Sequence, residues 1–154
     1  MLPLSLFQWL EATAVGTTVR QSLWLFPVIE CIHLLALALL GGTVLAVDMR
    51  LLGLGLKAQP AAELEQKLEP WMTGALVTSI VTGILMFLSE AIKCYYSPPF
   101  WYKMGLLLLA TLYAFTIRRK VLRSVSGLAT KTAAMVSLAL WFGVAFSGRW
   151  IAFY

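Results

Sequence analysis

Residues 23–47 read LWLFPVIECIHLLALALLGGTVLAV. These 25 residues contain no Lys, Arg or Asp. About 20 apolar residues cross the hydrocarbon core of a bilayer as a helix, so the stretch predicts a membrane span. Two ionisable side chains interrupt it: Glu30 and His33, the only histidine of the chain. A charge at the centre of a span costs about 2.5–3.5 kcal/mol on insertion scales. The pair therefore has either a task or internal partners.

The rest of the chain agrees with a membrane class. It has 154 residues, 60% hydrophobic and 12% charged, with a mean hydropathy of +0.84. Soluble domains carry roughly 25% charged residues. The apolar runs are continuous rather than alternating, which argues against a β-barrel. Further spans are expected at about 71–92, 100–118 and 133–153, after a first span at about 23–48. The fold expected is all-α: a four-helix transmembrane bundle forming one domain over residues 1–154, with a short interfacial helix at residues 4–14. Phe7 and Trp9 of that helix suit the headgroup level. Residues 16–22 read as a polar connector, with Ser22 placed to cap the first span. Residues 53–70 read as a loop with some helical character, closed by Pro70, and 93–99 as a loop stopped by Pro98-Pro99.

The net charge of +5 does not indicate nucleic acid, because the basic residues sit at the ends of apolar runs and form no basic face. Arg50, Lys57, Lys67, Arg118, Arg119, Lys120, Arg123 and Lys131 fall between spans 1 and 2 or 3 and 4. Arg20, Lys93, Lys103 and Arg149 fall on the opposite side. Eight basic residues against four mark the first set as cytoplasmic, and both termini as outside or periplasmic. No basic segment precedes Arg20, so no cleaved signal is expected. Two cysteines, Cys31 and Cys94, are too few for a disulfide framework.

On this topology Glu30, His33, Glu90, Lys103 and Arg149 all belong to the outer half. One polar cluster is expected there, with carboxylates from helices 1 and 2, cations from helices 3 and 4, and the imidazole beneath. Intramembrane ionisable groups are functional by default, and a neutral imidazole is a common haem and metal ligand whose other nitrogen needs an orienting partner. Glu30 is a candidate for that partner. Glu-x-x-His is also the spacing of di-iron bundles, but those use two such motifs, and this chain has one histidine. For haem, a second axial ligand would come from another protomer or subunit, from Lys103 or Met86, or be absent. Lys103 and Arg149 are read either as snorkelling cations paired with Glu30 and Glu90 or as clamps for an acidic ligand. Trp24, Tyr95, Tyr96, Trp101, Trp150 and Tyr154 read as an aromatic belt or a pocket lining. Gly74, Thr78 and Thr82, with Ser79 and Gly83 beside them, form a small-residue stripe of the kind that lets helices approach closely.

Glu30-x-x-His33, Asp48-x-Arg50, Trp101-Tyr-Lys103 and Gly148-Arg149-Trp150 together resemble an uncharacterised bacterial family of small four-helix membrane proteins. The chain is more distantly similar to HemJ-type protoporphyrinogen oxidases and to CopD-like membrane domains. The HemJ resemblance implies haem b, a ligand at His33 and a functional lysine at Lys103. The function expected is a haem b protein for electron transfer or redox chemistry on the outer side of a bacterial inner membrane. Glu30 and Lys103 are the catalytic candidates. His33, Lys103, Arg149 and Trp150 are the cofactor-binding candidates, with His33 the iron ligand. Quinone or porphyrin, and further copies or subunits, are the expected partners besides lipid. The alternative is a non-enzymatic subunit or transport component whose polar cluster is structural or takes copper or protons. A structural anchor that uses the helix-2 stripe as its contact face is the third reading.

Overall fold

The computed structural model describes residues 3–55, 58–122 and 127–153, with the side chains of Arg119 and Leu122 left aside. Lys57, Arg123 and Tyr154 lie outside the described residues. Among these residues the protein is helical and contains no strand. Two short helices, α1 (Leu4–Glu11) and α2 (Ala14–Gln21), precede α3 (Leu25–Leu52) and α4 (Ala61–Ser89). A six-residue α5 (Ala91–Tyr96) leads into α6 (Pro98–Tyr113), which runs through a π-turn (Ala114–Arg118) into α7 (Arg119–Leu122). The last long helix is α8 (Gly127–Trp150). Four helical segments are long and apolar enough to cross a bilayer: Leu25–Leu52, Ala61–Ser89, Pro98–Arg118 and Gly127–Phe153. The chain is a multi-pass membrane protein.

Helix α3 is apolar nearly all round, as a span must be. It buries only one stripe: His33, Ala36, Leu40, Thr43, Val44, Val47, Asp48 and Leu51. The spacing of three and four residues lays that stripe against α4 and α8, while α8 carries α6 on its other side. Most large apolar side chains point outward, Leu35, Phe142 and Phe146 among them, as expected where lipid rather than water surrounds the bundle. Helix association in lipid depends on close packing of small residues. Gly143 serves this between α8 and α6: a Cβ there would come within 3.1 Å of Leu106. Helices α4 and α6 instead meet through side chains, Phe87 stacking on Phe100 with centroids 5.5 Å apart.

The helix ends differ from the sequence expectation in instructive ways. Pro70 does not close a loop; it lies inside α4, which starts nine residues earlier than Pro70 and continues to Ser89. Proline removes one amide donor from the ladder, a loss tolerated in a span whose neighbours hold it. Residues 16–22 are not a plain connector, since most of them form α2, capped by Thr13, whose Oγ1 accepts from Gly16 N at 3.3 Å. Pro98 and Pro99 do not stop a helix but open α6, at the first-turn positions where a missing N–H costs nothing. Gly53, with φ +80°, ends α3 in the left-handed conformation, and Leu54 N bonds Met49 O at 3.0 Å. Ser22 Oγ accepts from Leu25 N at 3.2 Å, as its position suggested.

Helices α1 and α2 form a strap over the end where the termini lie. Phe7 is buried, against Phe87, Tyr95 and Trp101. Glu11 accepts from Ile92 N at 2.7 Å at the start of α5 and pairs with Arg20. Gly16 is where α2 touches α4: a Cβ there would sit 2.4 Å from Leu88 O. Gly16→Val should therefore lift the strap while leaving the bundle folded. Limited proteolysis should then cut near residues 13–22, and the helical circular dichroism should fall only slightly.

Candidate functional site

Two polar layers lie inside the bundle. The first, at the termini end, is built on His33. Its position in the buried stripe of α3 turns the ring toward α4, where Nδ1 lies 2.8 Å from Thr82 Oγ1. Thr82 Oγ1 itself donates to Thr78 O at 2.6 Å. With its proton so placed, Thr82 is able to accept from a ring N–H at Nδ1, the tautomer that carries its lone pair on Nε2, and the Ser79 backbone adds a second hydrogen bond to the ring. Gly83 flanks the ring, its Cβ direction meeting His33 Cε1 at 3.4 Å. The small-residue stripe of α4 thus seats the imidazole. A ligating histidine is fixed in the same way, by a hydrogen bond on one ring nitrogen.

The residues expected around His33 are distributed unevenly. Its hydrogen-bond partners are the Thr82 hydroxyl and the Ser79 backbone, not Glu30. Glu30 is exposed on α3 and has no hydrogen bond or ion pair among the described residues. Lys103 lies within electrostatic reach of His33 and Cys94. Its side chain rests on α8, with Nζ 3.6 Å from the Cβ direction of Gly148. Glu90 faces Lys93 at 4.0 Å. Arg149 is exposed, with its guanidinium 5.5 Å from the Phe153 ring centroid, and Trp150 packs on Phe146 at 5.8 Å. Lys103 is therefore the cation nearest in effect to His33, while Glu30 and Arg149 stand at the rim. Among the described residues no three His, Cys, Asp or Glu side chains come together as a metal-ion site.

The second layer is at the opposite end. Asp48 of α3 is 0% exposed and Arg118, at the end of the π-turn, 1%. Arg118 Nε lies 3.5 Å from Asp48 Oδ1 and 3.9 Å from Glu65 Oε1 of α4. Ser137 of α8 faces Asp48. Sequence reading counted Arg118 among loop cations and Asp48 as the exit of a span. The signal available was Ala110 and Ala114, buried with Arg118 along one line of α6 and the π-turn. Eight residues after Ala110 an unbroken α-helix would place Arg118 about 80° around the axis. The wider π-turn takes back that drift and faces Arg118 inward.

The pair is loosely made. Both carboxylate oxygens of Asp48, all three guanidinium nitrogens of Arg118 and Ser137 Oγ are buried without a hydrogen bond. Each such atom costs about 1–3 kcal/mol if left unpaired, and six of them would cancel the roughly 5–15 kcal/mol by which a domain is stable. Between the two layers lies an apolar one: Leu40, Val44, Met72, Ala75 and Leu76, with Leu107, Phe115 and Trp141 against it. Asp48 is 15 residues from His33, roughly 22 Å along α3.

Cys94, on α5 between spans, is buried, and burial pushes its thiol up to about 11. A raised thiol is protonated, and so unreactive, throughout the neutral range. In a Cys31→Ser background, alkylation of Cys94 should be negligible at pH 8 and should rise about tenfold per pH unit until it levels near 11. For the second layer, Arg118→Met or Asp48→Leu alone should cost about 3–5 kcal/mol, because each strands the other charge. The double variant should recover most of that loss. Thermal or detergent unfolding of the purified protein checks both.

Comparison with known proteins adds a family and no activity. A family model described as a family of unknown function (DUF6644) matches residues 6–154. No curated protein and no solved structure matches the chain.

Proposed function

The chain belongs to the DUF6644 family of unknown function, and from its own residues we propose a membrane protein that holds haem b through His33 for redox chemistry. The observation that carries this reading is the imidazole itself: Nδ1 is anchored to Thr82 at 2.8 Å, and in the tautomer protonated there Nε2 keeps its lone pair inside a bundle. A bare copper or zinc ion needs three or four protein donors. A porphyrin brings four nitrogens of its own and asks the protein for one axial ligand, which suits a chain with a single histidine. When bound, haem would supply one-electron chemistry. Lys103 offers the cation for a propionate, with Arg149 and Trp150 at the rim. The second axial position would be open or filled by another copy.

The resemblance to HemJ-type proteins read from the sequence rests on His33 and Lys103 alone, and no curated protein matches the chain; quinone as electron acceptor is proposed on that resemblance. Charge bias supports an orientation with both termini outside, and the resemblance read from the sequence suggests a bacterial inner membrane. With the buried Arg118 set aside, seven basic residues remain on the loops opposite the termini against four near them.

Glu30 favours a second reading. An exposed carboxylate in a span, without a partner among the described residues, suits a subunit that meets a cation on a neighbouring helix.

The visible spectrum of the purified protein decides between them. The first reading expects a Soret band in the wild type, lost in His33→Ala. It also expects haem affinity weakened roughly 10–100-fold in Thr82→Val, where the orienting hydrogen bond is gone. A colourless wild type overturns it, and a band that survives His33→Ala overturns the ligand. The second reading expects Glu30→Gln to change the size of the assembly in detergent with the spectrum unaltered.

A further inference from the structure

The layer around Arg118 stands apart from the haem reading and carries its own inference. Four elements converge on it: Asp48 from α3, Glu65 from α4, Arg118 from the π-turn and Ser137 from α8. Asp48, Arg118 and Ser137 are at most 1% exposed. All three guanidinium nitrogens of Arg118 are buried with no hydrogen bond among the described residues, while Ser137 approaches the Asp48 carboxylate only at long hydrogen-bond range. The closest charge–charge approach is 3.5 Å, through Nε alone, so the guanidinium does not form the bidentate pair its geometry allows. At 3.5 Å this is a long direct ion pair that uses one of the three guanidinium nitrogens, and the donors left over at Nη1 and Nη2 still need acceptors, which bound water supplies in a polar interior. A site with several convergent donors and acceptors offers each water the two to four partners it needs.

The surroundings say how far such water extends. On the side toward His33, the layer of Leu40, Val44, Met72, Ala75 and Leu76 closes the bundle with apolar side chains. On the other side Glu65 is partly exposed, its side chain at 15%, near the end of α4 away from the termini. Tyr113 borders the same space, within electrostatic reach of both Asp48 and Arg118, its hydroxyl donating to Ala133 O at 3.0 Å.

We infer that Asp48, Arg118 and Ser137 enclose a cluster of bound water molecules. Its ligand is water. The apolar layer of Leu40, Val44, Met72, Ala75 and Leu76 closes it toward His33, and its surroundings are most exposed at Glu65.

Solid-state NMR of the protein in lipid bilayers tests this by transferring polarisation from water protons to side chains. The Arg118 guanidinium is assigned by its loss in Arg118→Lys. Arg118 should gain polarisation from water many times faster than the methyl groups of Leu40 and Val44. Ser137→Val, which fills the space with an apolar side chain, should remove most of the transfer to Arg118 while the backbone spectrum stays that of the folded bundle. Transfer to Arg118 as slow as to Leu40 would mean a dry ion pair and overturn the inference. Unchanged transfer in Ser137→Val would mean that Arg118 meets bulk solvent rather than a seated cluster, and would overturn it equally.

Discussion

Arg118 is the constraint on which the architecture turns. A guanidinium cannot lose its proton, so its burial at 1% exposure obliges the fold to bring counter-charge to it. Asp48 and Glu65 do so from α3 and α4, and the π-turn delivers Arg118 to them from α6. Three spans are thereby fixed in register at one end by one side chain, with Ser137 adding α8. Replacing a buried charge pair by apolar residues is often neutral or stabilising. The cluster is therefore better understood as fixing which helices meet, and at what height, than as a source of net stability. At the other end the same work falls to contacts of a different kind: the aromatic cluster on Phe7, the Glu11 bond to Ile92 N, and the close approach at Gly16.

Much of this was legible in the sequence, and the reasons differ by element. Four spans follow from four long apolar runs, because lipid forces helices and leaves no alternative backbone solution. The small-residue stripe of α4 was also legible as a contact face. That Thr82 on it receives His33 was not, since the two are 49 positions apart and nothing local couples them. Pro70 misled because proline rules are calibrated on water-exposed helices. Here α4 extends past the apolar stretch and carries Pro70 within it. Arg118 misled for the opposite reason. A cation at the end of an apolar run is ordinarily a loop residue under the positive-inside rule, and only the π-turn, which leaves no simple sequence mark, folds it inward.

The expected outer cluster shows how much a few degrees decide. Glu30 and His33 are three residues apart, roughly 60° around the helix axis. His33 is centred on the face toward α4, and that offset carries Glu30 out of the packed stripe into the exposed surface. Lys103 faces α8 beside Gly148, and Glu90 turns to Lys93. The sequence reading put these groups in the outer half of the bundle by counting along each helix. It could not give azimuth across helices, because azimuth depends on which pairs pack. The imidazole is consequently set among small side chains and hydroxyls rather than among carboxylates.

The separation of the two layers limits what each can do for the other. A proton moving between Asp48 and His33 would need a continuous chain of polar groups or water over roughly 22 Å, and Leu40, Val44, Met72, Ala75 and Leu76 interrupt it. Thr43, the polar residue of α3 in that interval, spends its hydroxyl on Leu40 O at 2.8 Å and bridges nothing. Any proton exchange at His33 must therefore run through the termini end, and exchange at Asp48 and Arg118 through the opposite end, because the apolar layer between them offers neither donor nor acceptor.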